Sequence, residues 1–221
     1  MTRNISGFDP DAFSSLERMR SGEWYLCTSE EFAAEQRRSA ELVHELNQLG
    51  NTDPERARAL IQKLTLAEHA EATVFAPAFI EFGAHVSLGP GVFINAGVTI
   101  LSSAEVKIGA RTMLGPNCQL ITPTHPTDSV AMRRGGWERA AAIELGEDVW
   151  LGAGVTVLPG VTIGSGTTVG ANSTVTKSLP ENCVAVGTPA RVVRRCDPQR
   201  AEAETRGLAP GVPIEPLSLF D

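Results

Sequence analysis

Histidine is the side chain best suited to accept a proton from a hydroxyl near neutral pH, and this chain has four histidines. His44 and His69 fall in a segment of helical pattern, and we expect both on the surface. His85 falls at an early turn of the repeat region, where exposure is also expected. His125 differs because it lies in Thr124-His125-Pro126-Thr127-Asp128, where proline restricts the backbone and a carboxylate follows three residues later. His125 is therefore the candidate general base, and a purely structural loop histidine is the competing interpretation.

Metal chemistry is not indicated by the same residue types. A zinc site needs three or four ligands held together, yet only His85 and His125 fall in the repeat region. The cysteines include no closely spaced pair: Cys27, Cys118, Cys183 and Cys196. We therefore predict no metal requirement and no disulfide framework, and this cysteine usage is typical of a reducing cytosol.

Positive charge clusters near the end of the chain. Between Thr176 and Arg195 one acid, Glu181, stands among the bases Lys177, Arg191, Arg194 and Arg195. The whole chain has a formal net charge of -7, which argues against nonspecific nucleic-acid binding. A local basic excess in an acidic protein favours an anion such as phosphate as a partner. The alternative is a solvated terminal element.

Both chemical features are set in a region whose sequence repeats every six residues. Aliphatic residues recur at this spacing in three runs: Val86, Val92 and Val98; Ile108, Leu114 and Leu120; and Leu145, Leu151, Val157, Ile163, Val169 and Val175. The period is neither the 3.6 of a helix nor the 2 of a strand. A six-residue repeat of aliphatic, small and turn residues predicts a β-helix, in which three hexads close one triangular coil.

The repeat stops between Leu120 and Leu145, and His125 lies in this interruption. Residues 121–144 are therefore predicted to leave the β-helix as one protruding loop. An excursion from a rigid repeat is often a functional site, although a tolerated surface insertion has the same appearance in a sequence.

The first 70 residues show helical patterns instead. Asp9-Pro10 is predicted to start a short helix that runs through Met19. Thr28-Ser29-Glu30-Glu31 has the pattern of a capping box with Thr28 at the N-cap, and the helix after it is expected to reach Leu49. Thr52-Asp53-Pro54-Glu55 predicts another helix start. We expect residues 1–70 to form a helical cap over one open end of the β-helix.

The remaining segments complete the predicted organisation. Residues 71–196 are expected to form the β-helix, with Arg191–Arg195 as a short terminal helix or strand. Residues 197–221 are polar and then proline-rich, which predicts a tail. The chain of 221 residues has neither a long apolar run nor a signal-peptide pattern, so we predict a cytoplasmic protein without a membrane span.

These motifs resemble those of the hexapeptide-repeat acetyltransferases, specifically the maltose and galactoside O-acetyltransferases with their nodulation-factor relatives. The resemblance covers about Met19 to Arg195. It rests on Gly22-Glu23-Trp24-Tyr25, Phe93-Ile94-Asn95-Ala96, the His125 segment, Asp148-Val149-Trp150-Leu151-Gly152, Leu158-Pro159-Gly160-Val161-Thr162-Ile163-Gly164, Val175-Thr176-Lys177 and Val186-Gly187-Thr188-Pro189-Ala190-Arg191-Val192-Val193. The resemblance implies a left-handed parallel β-helix, and a homotrimer that binds acetyl-CoA between neighbouring subunits.

The resemblance also implies roles for individual residues. His125 matches the catalytic histidine, Asn95 an asparagine facing the acceptor, and Glu138 a glutamate at the end of the loop. The backbone N–H of Ala153 matches the oxyanion donor. The remaining coenzyme-binding positions are matched by Ala171, Thr176 and Lys177 along the pantetheine and phosphates, and by Arg191 and Arg194 near the nucleotide end.

The acceptor region departs from the galactoside enzymes. Their polar or acidic sugar ligands are replaced here by Cys27, Glu81 and Ser103, and Trp137 in the loop is unusual. These positions, together with Asn95, are the expected acceptor-binding residues, and their departures leave the identity of the acceptor open. The resemblance implies a hydroxyl of a sugar or of a related small molecule. N-acetylation of an amino sugar and a non-catalytic β-helix scaffold or binding module stay open as alternatives.

Overall fold

The computed structural model describes residues 9–67, 71–206 and 208, so His69 and residues 209–221 lie outside the described part. Its N-terminal region is helical, as predicted. A 3-10 turn spans Pro10–Phe13 and is followed by α1 (Leu16–Arg20), α2 (Glu30–Leu49) and α3 (Pro54–Thr65). Within the described residues, no helix combines the length and the apolar character needed to cross a bilayer.

The helix starts correct two predictions. The single helix expected through Met19 is two short elements, because Ser15 caps α1 by accepting a hydrogen bond from the Arg18 N–H at 3.1 Å. The N-cap of α2 is Ser29 and not Thr28. Thr28 is occupied elsewhere, since its hydroxyl donates to Asp11 Oδ1 at 2.9 Å.

The β-strands are short and regularly spaced. Before the loop, the chain forms β1 (Thr73–Val74), β2 (Phe79–Ile80), β3 (Val86–Leu88), β4 (Phe93–Ile94), β5 (Thr99–Leu101), β6 (Val106–Ile108), β7 (Met113–Leu114) and β8 (Gln119–Ile121). The loop contains β9 (Pro123–Thr124), α4 (Val130–Arg134) and β10 (Arg139–Ala140). After it come β11 (Ile143–Leu145), β12 (Trp150–Leu151), β13 (Thr156–Val157), β14 (Thr162–Ile163), β15 (Thr168–Val169), β16 (Thr174–Val175), β17 (Cys183–Gly187), β18 (Ala190–Arg195) and α5 (Pro198–Thr205).

The strands of successive coils stack in parallel register, which builds three sheets around one axis, and the last strand, β18, runs antiparallel to β17. Sheet I has the order β1-β4-β7-β12-β15-β17-β18, sheet II the order β2-β5-β8-β13-β16 and sheet III the order β3-β6-β11-β14. The corner between sheets I and II is called here the oxyanion-side corner, and the corner between sheets II and III the loop corner. The structure confirms the predicted fold class, a mainly β protein built as a parallel β-helix with a helical cap and one protruding loop.

The six-residue repeat exists because one aliphatic side chain per hexad points into the β-helix. Leu151, for example, pairs with Leu114 in the coil before it and with Val169 in the coil after it, and all three are fully buried. Each such side chain contributes about 1.5–3 kcal/mol through burial. At the corners the coils approach so closely that a Cβ on Gly115 would lie 2.8 Å from the Ala153 nitrogen, so glycine is required there.

The helical cap closes the first coil through both apolar and polar contacts. Leu46, Ile61 and Leu64 of the helices join the same buried cluster as the β-helix interior. Asn47 donates through Nδ2 to the Ala78 carbonyl at 2.9 Å, and its Oδ1 accepts from the Ala78 N–H at 2.8 Å. Asn51 Oδ1 accepts from the Ala76 N–H at 3.0 Å. These amides satisfy backbone groups in the turn between β1 and β2 that an uncovered first coil would leave to solvent.

At the opposite end the chain reverses direction. Strand β18 pairs antiparallel with β17, which settles Arg191–Arg195 as a strand and not a helix. The helix α5 that follows lies on the surface without a buried residue.

Candidate active site

The loop that carries His125 is tied at its base and at its tip. Strands β9 and β10 form an antiparallel pair in which Arg139 lies opposite Thr124. Arg133 donates through Nη1 to the carbonyls of Pro126 and Thr127 at 2.6 and 2.7 Å. The backbone on both sides of His125 is therefore held in place, although 57% of the histidine side chain is exposed.

The two ring nitrogens of His125 face different groups. Nδ1 lies 3.2 Å from the Trp137 carbonyl, which accepts a hydrogen bond, so the neutral ring carries its proton on Nδ1. Nε2 then presents a lone pair to solvent and lies 3.7 Å from Glu138 Oε1. Nε2 is therefore able to accept a proton, and a carboxylate lies beside it.

Glu138 is anchored by Tyr25, a residue to which the sequence analysis gave no role. The two backbones form a bridge in which the Tyr25 N–H donates to the Glu138 carbonyl at 2.8 Å and the Glu138 N–H to the Tyr25 carbonyl at 3.1 Å. The Tyr25 hydroxyl donates to Glu138 Oε2 at 3.0 Å. Burial is the main reason that the pKa of Tyr25 is raised above its ordinary value.

Three of the expected acceptor residues, Cys27, Glu81 and Ser103, lie beside this pair. Ser103 Oγ lies 3.5 Å from Glu81 Oε2, to which it donates. Burial, and then the charge of Glu138, raise the pKa of the Glu81 carboxyl to about 7. Desolvation, followed by the charges of Glu138 and Glu81, raises the pKa of the Cys27 thiol to about 12. The charge of Glu138 contributes to the raised pKa of both Cys27 and Glu81, so the three side chains form one acidic pocket beside His125 only in the electrostatic sense, as a cluster of neighbouring acidic groups.

The oxyanion-side corner holds a second group of expected site residues. Backbone hydrogen bonds join its turns in one column, with Asn117 N donating to Ala96 O at 3.0 Å and Asn172 N to Ala153 O at 2.8 Å. Asn95 opens the turn after β4, and its Oδ1 accepts from the Ala96 N–H at 2.8 Å. Over residues 9–67 and 71–206 the Ala153 N–H has no acceptor, so it is available as a donor.

The site residues thus divide between two corners of one chain. Asn95, Ala153 and Ala171 lie at turns of the oxyanion-side corner, whereas Thr176 and Lys177 follow β16 at the loop corner, on the same side as His125. Arg191 and Arg194 are exposed on β18. A single chain therefore brings His125 together with Glu138 but not with Asn95.

His85 contradicts the expectation of exposure. It is 4% exposed, its Nδ1 lies 2.7 Å from the Ser102 carbonyl, and its ring stacks on Phe82. The cause is a 3-10 turn over Gly83–His85 that folds the ring under the cap, and burial lowers the pKa of His85. His44 is exposed, as predicted.

Among residues 9–67, 71–206 and 208, no group of three His, Cys, Asp or Glu side chains is arranged to hold a metal ion.

Two family models match the two parts of this architecture. The model described as maltose acetyltransferase hexapeptide capping motif matches residues 18–64, which hold α2 and most of α3. The model described as bacterial transferase hexapeptide (six repeats) matches residues 142–177, which follow the loop.

Whole-chain comparisons extend this agreement. A galactoside O-acetyltransferase of Lactococcus lactis is 35% identical over 82% of this chain and 87% of the relative. A solved maltose O-acetyltransferase of Clostridium difficile has a TM-score of 0.78 at 30% identity and covers 84% of this chain and 99% of its own. A hexapeptide-repeat acetyltransferase of Vibrio cholerae, solved with acetyl-CoA, has a TM-score of 0.77 at 33% identity and covers 83% and 99%. The chain belongs to the maltose and galactoside O-acetyltransferase family of hexapeptide-repeat proteins.

Proposed function

We propose that this protein transfers an acetyl group from acetyl-CoA to a hydroxyl of a sugar or of a related small acceptor. The observation that carries the proposal is the free Nε2 of His125, held by the Trp137 carbonyl on Nδ1 and flanked by Glu138 at 3.7 Å. The names of the relatives support the same chemistry, since one is a galactoside O-acetyltransferase and another binds acetyl-CoA.

The reaction follows from the protonation state of His125. Nε2 takes the proton of the acceptor hydroxyl as that oxygen attacks the carbonyl carbon of the thioester. The ring is then an imidazolium, and the nearby Glu138 carboxylate stabilises its charge. When the carbon–sulfur bond breaks, Nε2 returns the proton to the sulfur of coenzyme A, and the acceptor leaves as an ester.

The negative oxygen that forms on the thioester carbonyl needs a donor, and the free N–H of Ala153 is suited to this role. The basic side chains Lys177, Arg191 and Arg194 are exposed, and we assign them to the phosphates of the coenzyme. The exposed turn residues Ala171 and Thr176 are assigned to its pantetheine arm.

These assignments require more than one chain. His125 and its acidic pocket lie at the loop corner, while Asn95 and Ala153 lie at the oxyanion-side corner. We propose that the loop corner of one subunit faces the oxyanion-side corner of the next, which closes a homotrimer with three composite sites. The location in the cytosol stays a prediction.

The proposal is tested by replacing His125 with alanine and measuring thiol release from acetyl-CoA over a panel of sugars and alcohols. We expect His125→Ala to lower turnover by roughly 10²-fold or more, because general-base assistance is lost. His44→Ala is the matched control, since His44 is exposed on the cap.

Melting temperature and oligomeric state should be the same in both variants and in the wild type. Wild-type turnover in His125→Ala would overturn the mechanism. Treatment of the product with mild alkali separates an ester, which hydrolyses, from the amide expected of an amino-sugar acceptor.

A further inference from the structure

Tyr25 is the only tyrosine of the chain, and it is fully buried. Its ring stacks on Phe32 with 5.7 Å between centroids, in a cluster that also contains Met19 and Phe82. A phenylalanine would fill that space equally well. The hydroxyl therefore needs its own explanation, because a buried phenol is costly unless it finds a partner.

The hydroxyl has two polar neighbours, the Ser103 side chain and the carboxylate beside His125. Tyr25 donates to Glu138 Oε2 at 3.0 Å, while Oε1 of the same carboxylate lies 3.7 Å from His125 Nε2. One oxygen is thus fixed from the buried side, and the other faces the base without reaching hydrogen-bond distance.

The distance of 3.7 Å between Glu138 Oε1 and His125 Nε2 has a chemical consequence. The terminal torsion of glutamate is soft, and the Glu138 side chain is 26% exposed, so the carboxylate would rotate unless it were anchored. A rotated carboxylate would either move closer to Nε2, where the acceptor oxygen must approach, or turn toward water and leave the imidazolium unpaired. The Tyr25 hydrogen bond opposes both movements.

We propose that Tyr25 is a positioning residue that acts through Glu138, and that its hydroxyl holds the carboxylate at the distance from His125 that leaves room for the acceptor hydroxyl. This inference rests on the proposed function, in which His125 is the base. Tyr25 belongs to the N-terminal region, which carries no catalytic group. Through Tyr25 this region would help to position the catalytic residues.

The test is a double-mutant cycle of wild type, Tyr25→Phe, Glu138→Gln and the double variant. We expect Tyr25→Phe to lower kcat by about tenfold with little change in the KM for acetyl-CoA, as for a lost hydrogen bond to a charged group. In the Glu138→Gln background the same change should have almost no further effect, because the carboxylate that Tyr25 positions is already gone. An equal loss in both backgrounds, or wild-type kcat in Tyr25→Phe, would overturn the inference.

Two controls separate positioning from folding. Phe32→Leu disturbs the same aromatic cluster and should lower the melting temperature while kcat is kept.

The ring carbon that bears the hydroxyl of the single tyrosine gives one ¹³C NMR signal. This signal should shift in Glu138→Gln, and an unchanged signal would contradict the hydrogen bond without any activity assay. If His125→Ala keeps wild-type turnover, the proposed general-base role of His125 fails, whereas an inactive His125→Ala beside a fully active Tyr25→Phe rejects only the role of Tyr25.

Discussion

At the scale of single residues, environment decides which groups are available for chemistry. His125 and His85 both bond a backbone carbonyl through Nδ1, yet one ring is mostly exposed and the other is 4% exposed under the cap. Burial lowers the pKa of His85, so that ring stays neutral and structural. The pKa of Glu81 shifts in the opposite direction, because burial and the neighbouring carboxylate of Glu138 raise it to about 7.

The raised pKa of Glu81 predicts how stability depends on pH. The ordinary pKa of this carboxyl is 4.5, so between that value and about 7 the folded protein binds the proton more tightly than the unfolded chain does. The free energy of unfolding therefore decreases as pH rises through this window. Glu81→Gln removes the charged form, and we expect it to stabilise the protein at pH 8 by up to about 3 kcal/mol and to have little effect at pH 4.

Denaturant unfolding at a series of pH values measures this difference. Glu144→Gln is a suitable control, because Glu144 is exposed on the outer face of sheet III and should leave the curve unchanged. If the free energy of unfolding of Glu81→Gln ran parallel to that of the wild type over this pH range, the pKa of Glu81 would not be raised in the folded protein.

At the scale of elements, the β-helix is rigid, and the loop that leaves it is held by Tyr25 of the N-terminal region. The loop was predictable because it interrupts a strict repeat, and His125 because its segment matches a motif. The anchor of the loop was not predictable, since Tyr25 and Glu138 are 113 positions apart and no local pattern links them. The N-cap residue of α2 was predicted wrongly for a related reason. Thr28 hydrogen-bonds to Asp11, which is distant in sequence, and Ser29 is the N-cap.

The corner turns offer a prediction at this scale. In Gly115→Ala the new Cβ would meet the Ala153 nitrogen at 2.8 Å, so the two coils must separate. We expect a loss of about 1–3 kcal/mol in stability, as for overpacking, together with a reduced kcat because the proposed oxyanion donor moves.

Gly89→Ala provides the matched comparison. Its Cβ would meet the Ala110 nitrogen at 2.6 Å, which is the same kind of clash at the corner between sheets III and I. Calorimetry and turnover should show similar destabilisation in both variants but a loss of kcat only in Gly115→Ala. Equal kcat in the two variants would remove Ala153 from the proposed mechanism.

At the scale of the whole molecule, the three-sided cross-section keeps parts of the proposed site apart. The sheet order alone puts Asn95 at one corner and His125 at another. The repeat predicted the fold well, because each hexad encodes one strand and one turn. It carried no information on assembly, which was expected from the resemblance alone, and the structure adds which of the proposed site residues lie at which corner.

A mixing experiment tests the composite site. His125→Ala and Asn95→Ala trimers are each expected to be nearly inactive. When the two are unfolded together in equal amounts and refolded, an intact site forms wherever a chain with His125 meets a neighbour with Asn95. Random assembly then predicts about a quarter of wild-type activity. If both residues belonged to the site of one chain, mixing would restore nothing.

The two ends of the β-helix have a further consequence. A stack of parallel coils resembles a growing fibre, because each new layer presents the same edge as the layer before it. At the last coil of sheet I the antiparallel strand β18 ends the parallel stacking, and at the first coil Asn47 and Asn51 hydrogen-bond the turn between β1 and β2. The two ends of the β-helix are therefore unlike, and at neither of these two places is a parallel strand edge left open to continue the stack.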